Sequence, residues 1–258
     1  MLRVISVVLL LVSMQPVHAL RVATLSPHAT DLVWFAGGGD QLVGVSAFSD
    51  FPEIATNLPS IGDASGIDRE RIISLDPELI VYWSNGIRPS DLAWLRERGI
   101  ALFASNPVTI DELVYELHRL AELLQTEESA RKSIETIRKK KKQLQALDTG
   151  VPVHMIHQLW GKPLIVLGKQ DLLPHTLRLC GIENPIDTDG HPSAAVSREY
   201  LHAVRADIIL IAEEAPFKPF NPHDLPLLRG DGNSMHRATP RLLDAAFDIC
   251  RKVRNSRK

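Results

Sequence analysis

The sequence predicts an α/β protein of two similar lobes joined by one long helix. Three observations carry this. Short apolar strands alternate with capped helices in both outer parts of the chain. A helical pattern fills the middle, from about 110 to 147. A helix–strand unit near residue 70 returns 129 residues later. Alternation of this kind places helices on the faces of a mostly parallel sheet.

The chain opens on Met1-Leu2-Arg3, an apolar run from Val4 to Val12, and small residues up to Ala19. This is the pattern of a cleavable secretory signal peptide over residues 1–19. The alternative, a membrane anchor, needs roughly 20 apolar residues, more than the run supplies. No cysteine lies near the expected cut, which argues against a lipoprotein. The expected location is the periplasm. Cys180 and Cys250 are the two cysteines. In an oxidising compartment an even pair predicts a disulfide; the alternative is two buried free thiols.

The N-terminal lobe is expected over 20–108. Arg21–Leu25 reads as a strand. Ser26-Pro27 supplies an N-cap and a proline at the first helical position. A helix over 30–35 ends at Gly37-Gly38-Gly39. Strands follow at 42–46, 79–83 and 101–104, with helices at 68–75 and 92–98 between them. Thr109-Ile110-Asp111-Glu112 is a capping box. Behind it, Ile110, Leu113, Val114, Leu117, Leu120, Ala121 and Leu124 keep helical spacing. The pattern weakens at Gln125-Thr126 and resumes through Ala130, Ile134, Ile137 and Leu144. One linking helix over 109–148, kinked or straight, is the expectation, and its basic run Arg138–Lys142 reads as a solvated face. The C-terminal lobe, 149–258, repeats the alternation. Its strands are expected at 153–156, 165–167 and 208–212, and its helices at 172–179 and 240–253.

The internal repeat aligns Ile67-Asp68-Arg69-Glu70-Arg71-Ile72 with Val196-Ser197-Arg198-Glu199-Tyr200-Leu201. Each segment is a capped helix start that runs on into a buried strand.

Composition restricts the function classes. The 258 residues carry a formal net charge of -2, with 45% hydrophobic and 23% charged residues. The basic excess of a nucleic-acid binder is absent. The sequence holds no Gly-rich phosphate loop, no Gly-x-Ser-x-Gly, no Cys-x-x-Cys and no His-x-x-x-His. His154 and His157 fall on opposite faces of a predicted strand. A binding protein is therefore expected rather than an enzyme. A small periplasmic hydrolase and a structural interaction domain are the rival classes.

Ser26-Pro27 after a strand, Val43-Gly44-Val45 with Asp50-Phe51-Pro52, and above all Glu70-Arg71-Ile72-Ile73-Ser74-Leu75-Asp76-Pro77-Glu78-Leu79-Ile80 resemble the helical-backbone class of periplasmic binding proteins. The resemblance implies two Rossmann-like lobes with the ligand in the cleft between them, and delivery to an ABC permease in the inner membrane. Within that class the chain resembles the cobalamin-binding members, through the loop Ser46–Pro52, Val81-Tyr82-Trp83, Cys180-Gly181-Ile182-Glu183-Asn184 with Cys250, and Arg237–Arg241. Two positions depart from that pattern: Ala64 replaces a tryptophan, and Pro192-Ser193-Ala194 lacks an aromatic.

The resemblance implies cobalamin or a related corrinoid as transported ligand, with no cofactor and a monomeric chain. Haem, an iron-siderophore or a metal ion carried by the same fold are the alternatives. Phe48, Trp83 and Trp160 are the expected flat apolar walls. Pro27, His28, Asn233 and Ser234 complete the expected contacts. His28, His191 and His236 on cleft loops keep the metal alternative open. Glu70 and Glu199, one per lobe, are the expected docking points for the two halves of the permease.

Overall fold

The computed structural model describes residues 19–148 and 150–256. Apart from Ala19, the expected signal peptide lies outside the described residues. No helix among the described residues is long and apolar enough to cross a membrane.

The N-terminal lobe runs β1 (Val22–Thr24), α1 (Pro27–Phe35), β2 (Leu42–Gly44), β3 (Gly62–Asp63), β4 (Gly66–Ile67), α2 (Arg69–Leu75), β5 (Leu79–Trp83), α3 (Pro89–Glu97) and β6 (Ala101–Ser105). Its main sheet is parallel, in the order β2-β1-β5-β6, and β3 and β4 form a separate hairpin. Alternation along the strands decides the layers. Val22, Leu79 and Val81 enter the large core, whereas Ala23 and Ile80 face a smaller cluster with Ile61, Ile72 and Leu95 on the opposite side.

The linking segment corrects the expectation of one helix. It forms two, α4 (Ile110–Leu124) and α5 (Glu127–Gln145). Gln125 adopts the left-handed conformation, with φ 57°, and ends α4. The turn is tied to the end of α1: Thr126 Oγ1 donates to the Ala36 carbonyl at 2.6 Å, and Gln41 Nε2 donates to the Leu124 carbonyl at 2.9 Å. Gly37 lets the segments meet. It has φ +89°, and a Cβ there would lie 2.5 Å from Ser129 Cβ. The helices then run antiparallel, which brings Lys141 Nζ within 2.7 Å of Asp111 Oδ1. In one continuous helix those residues would stand about 45 Å apart.

The C-terminal lobe contains β7 (Val153–Gly161), β8 (Leu164–Leu167), α6 (Leu172–Leu177), β9 (Ile182–Glu183), β10 (Ser193–Ala195), α7 (Arg198–Ala203), β11 (Ile208–Ala212), β12 (Leu227–Gly230), α8 (Gly232–Met235) and α9 (Pro240–Asn255). Strands β9, β7, β11 and β12 pair in parallel, and β8 and β10 extend the sheet in antiparallel sense. The repeat is structural as well as sequential. Helix α2 begins at Arg69 and α7 at Arg198; β5 begins at Leu79 and β11 at Ile208, both steps of 129 residues. Asp68 and Ser197 cap the two helices, accepting from Arg71 N at 3.0 Å and Tyr200 N at 3.1 Å.

The large core is continuous through both lobes, taking in α1, α4, α5, α6 and α9. Cys180 is bonded to Cys250, which fastens the turn after α6 to α9. The basic run on α5 is not purely a solvated face, because Lys140 pairs with Asp244 at 2.5 Å and Lys141 with Asp111.

Candidate ligand-binding cleft

Between the lobes lies a cavity of about 390 Å³. Its lining comes from the segments that leave the carboxyl ends of the strands, where open parallel sheets place their ligand crevices. Strand β1 leads into Ser26, Pro27 and His28. Strand β5 ends on Trp83 and leads to Asn85, and β6 leads to Asn106. From the other lobe, β8 leads to Gln170 and Asp171, β11 to Glu214, and β12 to Asn233, His236 and Arg237. The chain crosses from one side of β1 to the other between β2 and β5, so Pro27 and Trp83 flank that switch in strand order.

Trp83 is fixed rather than free. Its Nε1 donates to Asn106 Oδ1 at 3.0 Å, and Asn85 Nδ2 reaches the same oxygen at 3.4 Å. Gly86 lies beneath the ring, and a Cβ there would come 2.5 Å from Trp83 Cε3. The ring remains 37% exposed. His28 is buried, with Nε2 2.9 Å from Ser105 Oγ, and Ser105 Oγ donates to Glu116. Burial, aided by the Arg237 charge, lowers His28 to about 4, so its ring is neutral at ordinary pH. Burial pushes the Glu116 carboxyl up, against the hydrogen bond from Ser105. Burial also raises Asp171, which accepts from Leu173 N at 3.0 Å.

Arg237 is the one permanent cation among the described residues that line the cavity, and it is already engaged. Its Nη1 meets Asp50 Oδ1 at 2.6 Å and Asp31 Oδ1 at 3.4 Å, while Nη2 donates to the Phe48 carbonyl at 3.4 Å. Four lining side chains are carboxamides: Asn85, Asn106, Gln170 and Asn233. The cavity therefore offers uncharged donors and acceptors in quantity, two carboxylates in Asp171 and Glu214, and no uncommitted positive charge among its lining residues.

Of the seven residues expected to contact the ligand, four line this cavity together: Pro27, His28, Trp83 and Asn233. Three do not. Phe48 is 84% exposed beside it, on a loop with φ 64°, held through its carbonyl by Arg237. Trp160 is 45% exposed at the end of β7, tilted against Phe217 with ring centroids 5.9 Å apart. Ser234 is buried, and its hydroxyl donates to Asp231. Asn85, Asn106, Gln170 and Glu214 escaped the sequence reading. Their signal was position, one to three residues past a strand end. His28, His191 and His236 do not converge: among the described residues no group of three or more His, Cys, Asp or Glu is placed to hold a metal ion.

The comparisons with known proteins bear on the family and the fold. A family model described as periplasmic binding protein matches residues 22–226. The vitamin B12-binding protein of Photorhabdus laumondii is 34% identical over 244 residues, 92% of this chain and 89% of that protein. That of Vibrio cholerae is 30% identical over 258 residues, covering 95% and 92%. The solved periplasmic vitamin B12 binding protein BtuF of Vibrio cholerae superposes with a TM-score of 0.80 at 28% identity, over 91% of this chain and 97% of that one. The periplasmic heme-binding protein RhuT from Roseiflexus shares the fold, with a TM-score of 0.77 at 19% identity, over 93% of this chain and 100% of that one. The chain belongs to the periplasmic binding protein family.

Proposed function

We propose that this chain captures cobalamin or a related corrinoid in the periplasm and delivers it, chemically unaltered, to an ABC permease in the inner membrane. The observation that carries the choice of ligand is the polar lining of the cleft. A corrin ring bears uncharged carboxamide arms, and Asn85, Asn106, Gln170 and Asn233 line the cleft with groups of the same kind. Haem propionates or an anionic siderophore require a free cation, and Arg237 is bound to Asp31 and Asp50. Asp171 and Glu214 would repel such ligands further. The vitamin B12-binding names of the relatives support the same ligand. Trp83 supplies a flat apolar surface against the macrocycle, and Phe48, exposed beside the cavity, extends it for a ligand larger than 390 Å³.

Glu70 and Glu199 are the proposed docking points. Each is exposed in the first turn of its helix, and the two helices are equivalent in the repeat. Hydrogen bonds from its own backbone and from Ser197 hold Glu199 below the usual carboxylate range. One acidic knob per lobe suits a permease with two similar halves, and such charge pairs set orientation and association rate. Residues 1–19 serve as the export signal in this reading.

The test of the binding reading is Trp83→Ala. It is expected to weaken corrinoid binding by about 2 kcal/mol, roughly thirty-fold, with the melting temperature of the free protein unchanged. Unchanged affinity would remove Trp83 from the site.

A further inference from the structure

His236 lines the cleft at the end of α8, and its ring meets a second imidazole, that of His157 on β7. The two Nε2 atoms are 3.2 Å apart. The ring centroids are 5.1 Å apart, with 22° between the planes. Rings stacked face to face would have centroids about as close as their nearest atoms. These rings instead meet end to end, which is hydrogen-bond geometry.

Burial lowers both imidazoles, His157 well below its ordinary value, so each ring carries one N–H and one lone pair. Between the two Nε2 atoms, one must donate and the other accept. The far nitrogen of His157 decides which. His157 Nδ1 is buried and has no partner among the described residues. His157 also borders a void of about 10 Å³, whose apolar walls are Met155, Leu173, Pro174, Leu177 and Ile182. The one further polar residue there, Asn184, spends its amide on the Leu167 carbonyl and Ile186 N. A void that small with mostly apolar walls is a poor site for a water, which needs two to four partners. A buried orphan N–H is rarer than an under-used acceptor, so the His157 proton belongs on Nε2. His157 then donates to His236 Nε2, and His236 must carry its own proton on Nδ1.

We propose that His236 is a specificity-determining residue of the cleft: His157 locks it in the Nδ1–H tautomer, so it presents a fixed donor that takes a carbonyl oxygen of an uncharged carboxamide on the ligand. The carboxamide assignment rests on the corrinoid reading above; the tautomer does not. His157 is a positioning residue, buried behind His236 and acting through it.

The experiment has two parts. The first is ¹⁵N–¹H correlation spectroscopy of the ¹⁵N-histidine-labelled protein at neutral pH. The expected spectrum shows His236 protonated at Nδ1 and His157 at Nε2, with the His236 preference lost in His157→Phe. A wild-type His236 protonated at Nε2 overturns the proposal. The second is calorimetry with dicyanocobinamide. His236→Phe is expected to weaken binding about ten-fold, and His157→Phe several-fold although it touches no ligand. Should the buried His157 variant fail to fold, His236→Phe decides this part alone. Wild-type affinity in His236→Phe overturns the specificity role. A protein that shows the locked tautomer yet binds no corrinoid overturns the ligand reading and the carboxamide assignment, and leaves the donor standing on its spectrum.

Discussion

Arg237 reaches from the C-terminal lobe to Asp31 on α1: its Nη1 lies 3.4 Å from Oδ1 of a carboxylate with no exposed surface. Arg241 Nη1 takes the other oxygen at 3.2 Å, and its guanidinium lies 4.5 Å from the Phe51 ring centroid. Through Asp50 and the Phe48 carbonyl the same Arg237 holds the loop that projects Phe48. Breaking a buried pair strands the remaining charge. Arg237→Met is therefore expected to cost about 3 kcal/mol, the low end for such pairs because Arg241 remains. Urea denaturation measures it. Loss of under half that amount would show that the pair is largely hydrated.

Acid acts on the two lobes' junction in opposing ways. The native state keeps His28 neutral down to about 4, whereas the unfolded chain protonates it near 6.5. Its contribution is full above pH 6.5 and is lost as pH falls toward 4, to a limit of roughly 3 kcal/mol. Asp31 runs the other way. Burial, only partly offset by Arg237 and Arg241, raises it to about 6. On acidification the native state takes this proton first, so the group's share favours the native state from pH 6 toward 4. His28→Asn should therefore lose less stability than wild type between pH 7 and 4.5, and Asp31→Asn should lose more. Urea melts at the two pH values give the ordering; the reverse ordering contradicts these protonation states.

The bond between Cys180 and Cys250 spans 70 residues. Closing a loop of that length in the unfolded chain corresponds to roughly 4 kcal/mol. Reduction should lower the urea midpoint accordingly without changing ligand affinity, since neither cysteine lines the cleft. Thiol labelling of the denatured, unreduced protein should find no free thiol; two reactive thiols would contradict the bond.

Replacing Glu70 and Glu199 together by alanine should leave corrinoid affinity unchanged and strongly impair uptake by reconstituted permease. Each glutamate is exposed and neither lines the cleft, so the binding arm controls for misfolding. Wild-type uptake by the double variant would return both residues to a role confined to their own helices.

Much of the fold was legible because its signals are local. Ser26, Asp68, Thr109 and Ser197 each read as caps, and each accepts a backbone N–H in the structure. The repeat located β5 and β11 at one offset. The reversal between α4 and α5 was harder to read because the apolar pattern only weakens at Gln125-Thr126 before it resumes at Ala130. Gln125 is not a residue that announces a left-handed turn, and the contacts that stabilise the break come from Ala36 and Gln41, far away in sequence. Glu127 and Glu128 behind Thr126 were the overlooked mark of a new helix start. At the cleft, Trp83 and His28 were legible from their strand ends. Arg237 was noticed only as part of a segment, since its partners Asp31 and Asp50 lie some two hundred residues earlier. Phe48 and Trp160 are aromatic and exposed, but a sequence does not tell a cavity wall from its surroundings.

The most direct test of the central claim is calorimetric titration of the purified mature protein with cyanocobalamin, haem and a ferric siderophore in parallel. The carboxamide-rich lining, its two carboxylates and the committed Arg237 predict 1:1 binding of the corrinoid, a raised melting temperature, and weak or no response to the two anionic ligands. Tight binding of haem or the siderophore with no response to cobalamin would contradict the account.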